Sequence, residues 1–151
     1  MFKKILFCTD LTKYCDHIFN YALGMAKEHG ARLWIYNGLG RLPLSEEAAA
    51  EEIKKAEARV TEAYVDKMKN QGFEEYMINI TDGDIVSEII KLARNAKMDI
   101  ILMGTSTKEP LGVGEDVMVS PLGPIAIDTI LWAPCPVMII PPALVPGLTR
   151  R

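Results

Sequence analysis

The chain has 151 residues, of which 49% are hydrophobic and 25% charged, and its formal net charge is −3. That is enough for one domain with a substantial core, and the slight acidity argues against general affinity for nucleic acid or an anionic membrane surface. No apolar run reaches the roughly 18 residues that a membrane span needs.

The first residues, Met1-Phe2-Lys3-Lys4-Ile5, enter a strand pattern at once, and their apolar part is too short for a signal peptide. Lys4 to Thr9 reads as a strand whose continuous apolar run (Ile5, Leu6, Phe7, Cys8) suits a parallel sheet covered on both faces. Thr12 or Asp16 is placed to cap the helix that follows. Ile18, Ala22, Met25 and Ala26 share one face of it, and Gly30 suits its left-handed end. Ala31 to Asn37 is the second strand. After a connector with two glycines and Pro43, Ser45 opens a long helix, with Glu46 and Glu47 in the favourable dipole sense. Its stripe is Ile53, Ala56, Val60, Tyr64 and Met68, its other face is charged, and Gly72 ends it. Tyr76 to Ile80 is the third strand. Asp84 caps a helix with Ile85, Ile89, Ala93 and Ala96 inward. Ile100 to Met103 is the fourth strand. A long irregular segment leads to a helix from about Pro124 to Trp132, and Val137 to Ile140 is the fifth strand. The tail from Pro142 lacks periodicity and is expected to be loose.

Strands alternating with helices of this length imply parallel pairing by right-handed crossovers. One α/β domain, a five-stranded parallel sheet with helices on both faces, is expected over residues 1–142, with a flexible tail over 143–151. Ligands of such sheets bind beyond the carboxyl ends of the strands. Those ends carry Thr9-Asp10, Asn37-Gly38 and Gly104-Thr105.

The three cysteines, Cys8, Cys15 and Cys135, have no CxxC spacing. They read as two buried small residues and one half-exposed thiol, and a reducing cytoplasm is the expected compartment. His17 and His29 do not form a metal-ligand spacing. There is no Ser-His-Asp set, no HExxH and no Walker loop.

Several stretches together resemble the universal stress protein family. The opening strand Ile5-Leu-Phe-Cys-Thr-Asp10, the helix segment Tyr21-Ala-Leu-Gly-Met-Ala-Lys27 and the helix start Gly83-Asp84 fit it. Asp99-Ile-Ile-Leu-Met-Gly-Thr105 and Ala133-Pro-Cys-Pro-Val137 are the most specific pieces. The resemblance implies a Rossmann-like, adenine nucleotide alpha hydrolase-like sheet and a homodimer joined through the last strand, Val137 to Ile140. It also implies a nucleotide site. Thr9 and Asp10 fall on the positions beside ribose and base. Gly104 and Gly123 fall on the first and third glycines of the ATP motif, Gly-x-x-Gly, nine residues, then Gly-Ser or Gly-Thr.

The motif is degenerate here. The second glycine falls on Thr107, a β-branched residue that resists positive φ. Pro124 follows Gly123 in place of Ser or Thr, with neither hydroxyl nor N–H to offer. Eighteen residues separate Gly104 from Gly123, six more than the motif allows. Glu109, Glu115 and Asp116 in that loop oppose a triphosphate, with Lys108 against them. Gly112-Val-Gly114 is a weak GxG signal. The residues leave two readings of Asp10 open, a ribose ligand or a cap of its own turn.

The function expected is a dimeric stress-response binding or regulatory protein with weak or absent ATP binding, acting on an unidentified protein partner. The alternative is an ATP-binding stress sensor with slow hydrolysis. No nucleophile–base pair is visible, so no further enzymatic activity, no metal, no nucleic acid and no membrane partner is expected. The loop Thr105 to Leu122 is expected to lie over the strand ends, with Val117, Met118 and Val119 covering the cleft.

Overall fold

A computed structural model describes residues 2–105 and 122–144 of the chain. Five strands form one parallel sheet: β1 (Lys4–Cys8), β2 (Arg32–Gly38), β3 (Tyr76–Thr81), β4 (Ile100–Gly104) and β5 (Val137–Ile140). Their order is β3-β2-β1-β4-β5. The chain therefore winds outward from β1 to one edge, returns, and winds from β4 to the other. The turning point lies between β1 and β4, whose register pairs Phe7 with Leu102. Continued by two residues, it brings Thr9 level with Gly104. At the opposite end the Asp99 carboxylate accepts the N–H groups of Lys3 at 2.8 Å and Lys4 at 2.9 Å and so pins the start of β1 to β4.

Helix α1 (Lys13–His29) begins at Thr12, whose hydroxyl accepts the Cys15 N–H, and ends on Gly30 at φ 61°. Thr12, not Asp16, is thus the cap. Ser45 caps α2 (Glu46–Val60) through the Ala48 N–H, and Asp84 caps α4 (Ile85–Asn95) through the Ser87 N–H. Each cap oxygen satisfies a first-turn donor that has no partner within its helix. Among the described residues, α1 and α2 cover one face of the sheet. There Ile5, Phe7, Leu33 and Ile35 meet Ile18, Phe19, Ala22, Val60, Tyr64 and Met68. Helices α4 and α5 (Gly123–Trp132) cover the other, where Leu6, Cys8, Trp34 and Tyr36 meet Ile89, Ala93 and Ala126. Strands covered on both sides explain the unbroken apolar runs.

The long second helix departs from the expected continuous α-helix. After Val60 it makes a π turn, Thr61–Val65, and resumes as α3 (Asp66–Asn70). The apolar stripe explains this. From Ile53 to Met68 it takes fifteen residues for four turns, about 3.75 per turn, against 3.6 in an α-helix. One wider turn absorbs the drift, so that Val60, Tyr64 and Met68 all stay fully buried. The tail expectation also changes at its start, because Pro142–Leu144 form a 3₁₀ turn closed by the Leu144 N–H on the Pro141 carbonyl. The expected covering of the cleft by Val117 to Val119 lies outside the described residues, as do Thr107, the Gly112-Val-Gly114 pair and residues 145–151.

Candidate functional site

The carboxyl ends of β1 and β4 bring three of the four expected site residues, Thr9, Asp10 and Gly104, to one place, with Asn37 beside them on β2. Thr9 is buried and fully engaged. Its N–H donates to the Tyr36 carbonyl at 2.9 Å, and its carbonyl accepts the Asn37 Nδ2–H at 2.9 Å. Its hydroxyl accepts the Leu11 N–H at 2.9 Å and shares a 2.5 Å hydrogen bond with the Tyr64 phenol. The π turn of the second helix is what delivers that phenol to the strand end. Thr9 is thus a structural junction, its hydroxyl engaged by both Leu11 and Tyr64.

Asp10 is the exposed member of the pair. Its Oδ1 accepts the Thr12 N–H at 3.1 Å, the Thr12 hydroxyl at 2.6 Å and the Cys15 thiol at 3.0 Å. The capping reading of Asp10 is therefore realised. These bonds hold the carboxylate at the carboxyl end of β1, so a role toward ligand remains compatible with them. Leu11, next in sequence, takes φ 66°, a left-handed conformation that is uncommon for a residue with a side chain.

Gly104 has a packing reason of its own. A Cβ there would lie 2.6 Å from Tyr14 Cζ and 2.7 Å from Ile18 Cδ1, both on α1. The Tyr14 phenol lies over the glycine, donates to the Ile140 carbonyl and accepts the Thr105 N–H at 3.1 Å. One side chain thus joins α1 to the ends of β4 and β5. Gly123 starts α5 at φ 76°, with Pro124 in the first turn and no side-chain cap.

The electrostatics are those of a closed packing layer. Burial, reinforced by the Asp10 carboxylate, pushes the Cys15 thiol from 9.0 up to about 11. Burial alone dominates at Tyr36, raised to about 12, and at Cys8 and Tyr64, whose ionisation is moved further out of the physiological range. None of these groups is poised near neutrality for proton transfer. Among the described residues no group of three His, Cys, Asp or Glu side chains is placed to hold a metal ion. All three cysteines are free thiols, with Cys8 and Cys15 buried and Cys135 half-buried.

Sequence reasoning placed Asn37 at the strand ends without a partner, and missed Tyr14 and Cys15 as parts of this layer. Tyr14 lies one turn before Ile18 on the apolar face of α1, which was a legible sign of burial. Nothing local indicates its partners, 91 and 126 residues away. Tyr64 was legible as a stripe residue, though not as the partner of Thr9.

Comparison with known proteins agrees with this fold. The universal stress protein of Archaeoglobus fulgidus superposes with a TM-score of 0.70 at 21% identity, covering 93% of this chain and 99% of that one. A structure of the A. fulgidus protein in complex with dAMP gives 0.66 at 19% identity, with 92% and 98% covered. An Arabidopsis thaliana universal stress protein family member with AMP bound gives 0.59 at 16% identity, with 92% and 91% covered. No curated protein matches the chain significantly in sequence. No helix of the described residues is long and apolar enough to cross a membrane. The family match itself spans residues 1–141, and the chain therefore belongs to the universal stress protein family.

Proposed function

We propose that this protein is a homodimeric stress-response binding or regulatory protein of the cytoplasm, whose cleft takes adenine nucleotides weakly and grips them by the nucleoside. The nucleoside half rests on Asp10 at the carboxyl end of β1 and on the neighbours solved with dAMP and AMP. The observation that carries the weakness is Pro124 in the first turn of α5. The start of this helix is where a phosphate would find N–H donors and the positive end of the dipole. Proline removes one donor and supplies no hydroxyl. Gly104, the other surviving motif glycine, is required by Tyr14 and Ile18 whether or not phosphate binds. The ATP-sensor reading draws support from one feature, the lack of a side-chain cap at α5 among the described residues, which leaves first-turn donors to an anion.

Calorimetry with Mg-ATP and with AMP separates the two. The proposal expects an ATP dissociation constant above roughly 100 μM, since each lost phosphate donor removes about 1–3 kcal/mol, and no large advantage of ATP over AMP. Micromolar ATP binding, or ATP released on denaturing the purified protein, overturns it. Thr107→Gly combined with Pro124→Ser is expected to strengthen ATP more than AMP.

The dimer reading is supported by the edge position of β5 and by the apolar surface beside it. Leu131 is 67% exposed and Trp132 70%, with Ile130 and Met138 also exposed. An apolar edge strand left open invites pairing with another chain, and a two-fold pairing of β5 strands closes it.

A further inference from the structure

We propose that Cys15 and Asn37 act as a pair of positioning residues for the Asp10 carboxylate, clamping the Thr9–Asp10 peptide from both ends. This rests on the nucleoside reading of Asp10 given above and adds residues that the motif does not contain. The carbonyl of that peptide accepts the Asn37 Nδ2–H at 2.9 Å, and its N–H, on Asp10, donates to Cys15 Sγ at 3.5 Å. The same sulfur then donates its proton to Asp10 Oδ1 at 3.0 Å. Cys15 therefore holds both the backbone and the carboxylate of one residue, from the first turn of α1. The geometry stabilises the left-handed Leu11 that follows, whose N–H is taken by the Thr9 hydroxyl.

The chemistry of the two side chains suits this work. Cys15 is buried and held as a neutral thiol, so it serves as a permanent donor to the carboxylate and not as a redox handle. Asn37 is 5% exposed. Its Nδ2 orientation is set by the Thr9 carbonyl, and its Oδ1 is buried without a partner among the described residues. That unused acceptor lies at the same strand end as Asp10, independently of the cysteine. It is covered in this structure, so a base amino group or a sugar hydroxyl would have to enter the strand end to meet it. A strand end held at three points is preorganised, and a ligand that meets it has less ordering left to do.

The test uses the full-length chain, AMP as probe, and three readouts. In Cys15→Ala the AMP affinity is expected to fall roughly 10-fold, the value for one hydrogen bond to a charged group. The Asp10 carboxyl, followed by carbon NMR, is expected to titrate at higher pH, because a donor to its charged form is gone. Cys15→Ser, which keeps a donor, restores both. Asn37→Leu weakens AMP by a similar factor. In infrared spectra the Cys15 S–H band is lowered by its carboxylate partner and rises in Asp10→Asn. An Asp10 titration identical in wild type and Cys15→Ala overturns the clamp whatever AMP does. Failure of the wild type to bind AMP overturns the nucleoside reading alone, with the clamp still judged by the Asp10 titration. If Cys15→Ala does not fold, the S–H band of the wild type decides. An unshifted band overturns the contact.

Discussion

Gly104→Ala separates a packing glycine from a ligand glycine. The new methyl would stand 2.6 Å from Tyr14 Cζ and 2.7 Å from Tyr14 Cε2 and Ile18 Cδ1. Carbon atoms settle at about 3.5–4.0 Å, so either the ring or the helix must retreat by about 1 Å. The ring cannot retreat alone, because its phenol holds the Ile140 carbonyl and the Thr105 N–H. Nor can α1, whose Ile18, Phe19 and Ala22 are fully buried against the sheet. Overpacking of this kind costs about 1–3 kcal/mol, and weakening one buried hydrogen bond adds about 1 kcal/mol. The expected loss is about 2–4 kcal/mol, seen as a lower urea midpoint at unchanged slope. Tyr14→Phe keeps the ring and removes only the hydroxyl, and it should lose less. Stability within about 0.5 kcal/mol of wild type in Gly104→Ala, with nucleotide affinity reduced, would refute the argument and return the glycine to the phosphate site.

Tyr64→Phe leaves the buried Thr9 hydroxyl short of its partner and is expected to cost about 1–2 kcal/mol in urea unfolding, while Ala63, beside it in the π turn, tolerates Ser. Alkaline stability should fall as pH rises from about 9 toward about 11, because the folded Cys15 pKa lies above its unfolded value, so the folded state holds a proton that the unfolded chain has released. Cys8, raised further by burial, contributes to the same limb, so a Cys15→Ser titration by circular dichroism should make it shallower without abolishing it, and an unchanged limb would contradict the Cys15 assignment. Thiol labelling in the folded state should modify Cys135 well before Cys8 and Cys15. If the proposed homodimer pairs through β5, Leu131→Glu with Met138→Lys should convert it to monomer in light scattering, and a wild type that is already monomeric overturns the dimer reading. A double variant that stays dimeric would move the interface away from this edge.

The order of elements was legible in the residues because its causes are local or periodic. Unbroken apolar runs marked Ile5 to Cys8 and Ile100 to Met103 as strands covered on both faces. Thr12, Ser45 and Asp84 announced helix starts by the one chemistry that satisfies an orphaned N–H nearby. Gly30 announced an end by being free to turn left-handed. The π turn was not read, although the stripe's spacing of about 3.75 residues exceeds the α-helical period. The identities of the site residues came from the family resemblance, and their physical roles came from the fold. Gly104 read as a phosphate glycine until Tyr14, 90 positions earlier, was seen to fill the space that a side chain would need. Thr9 read as a ligand residue until Tyr64 took its hydroxyl. Asp10 kept both of its readings, Asn37 was placed at a strand end with no partner named, and Cys15 read only as a structural thiol. Apart from the local Asp10–Cys15 contact, five positions apart, these contacts join residues 28 to 126 positions apart, and no local period records such pairs. They arise only when β1, β2 and β4 are laid side by side and α1 and the second helix are pressed onto one face, where a buried polar atom must find whichever partner the packing brings within reach.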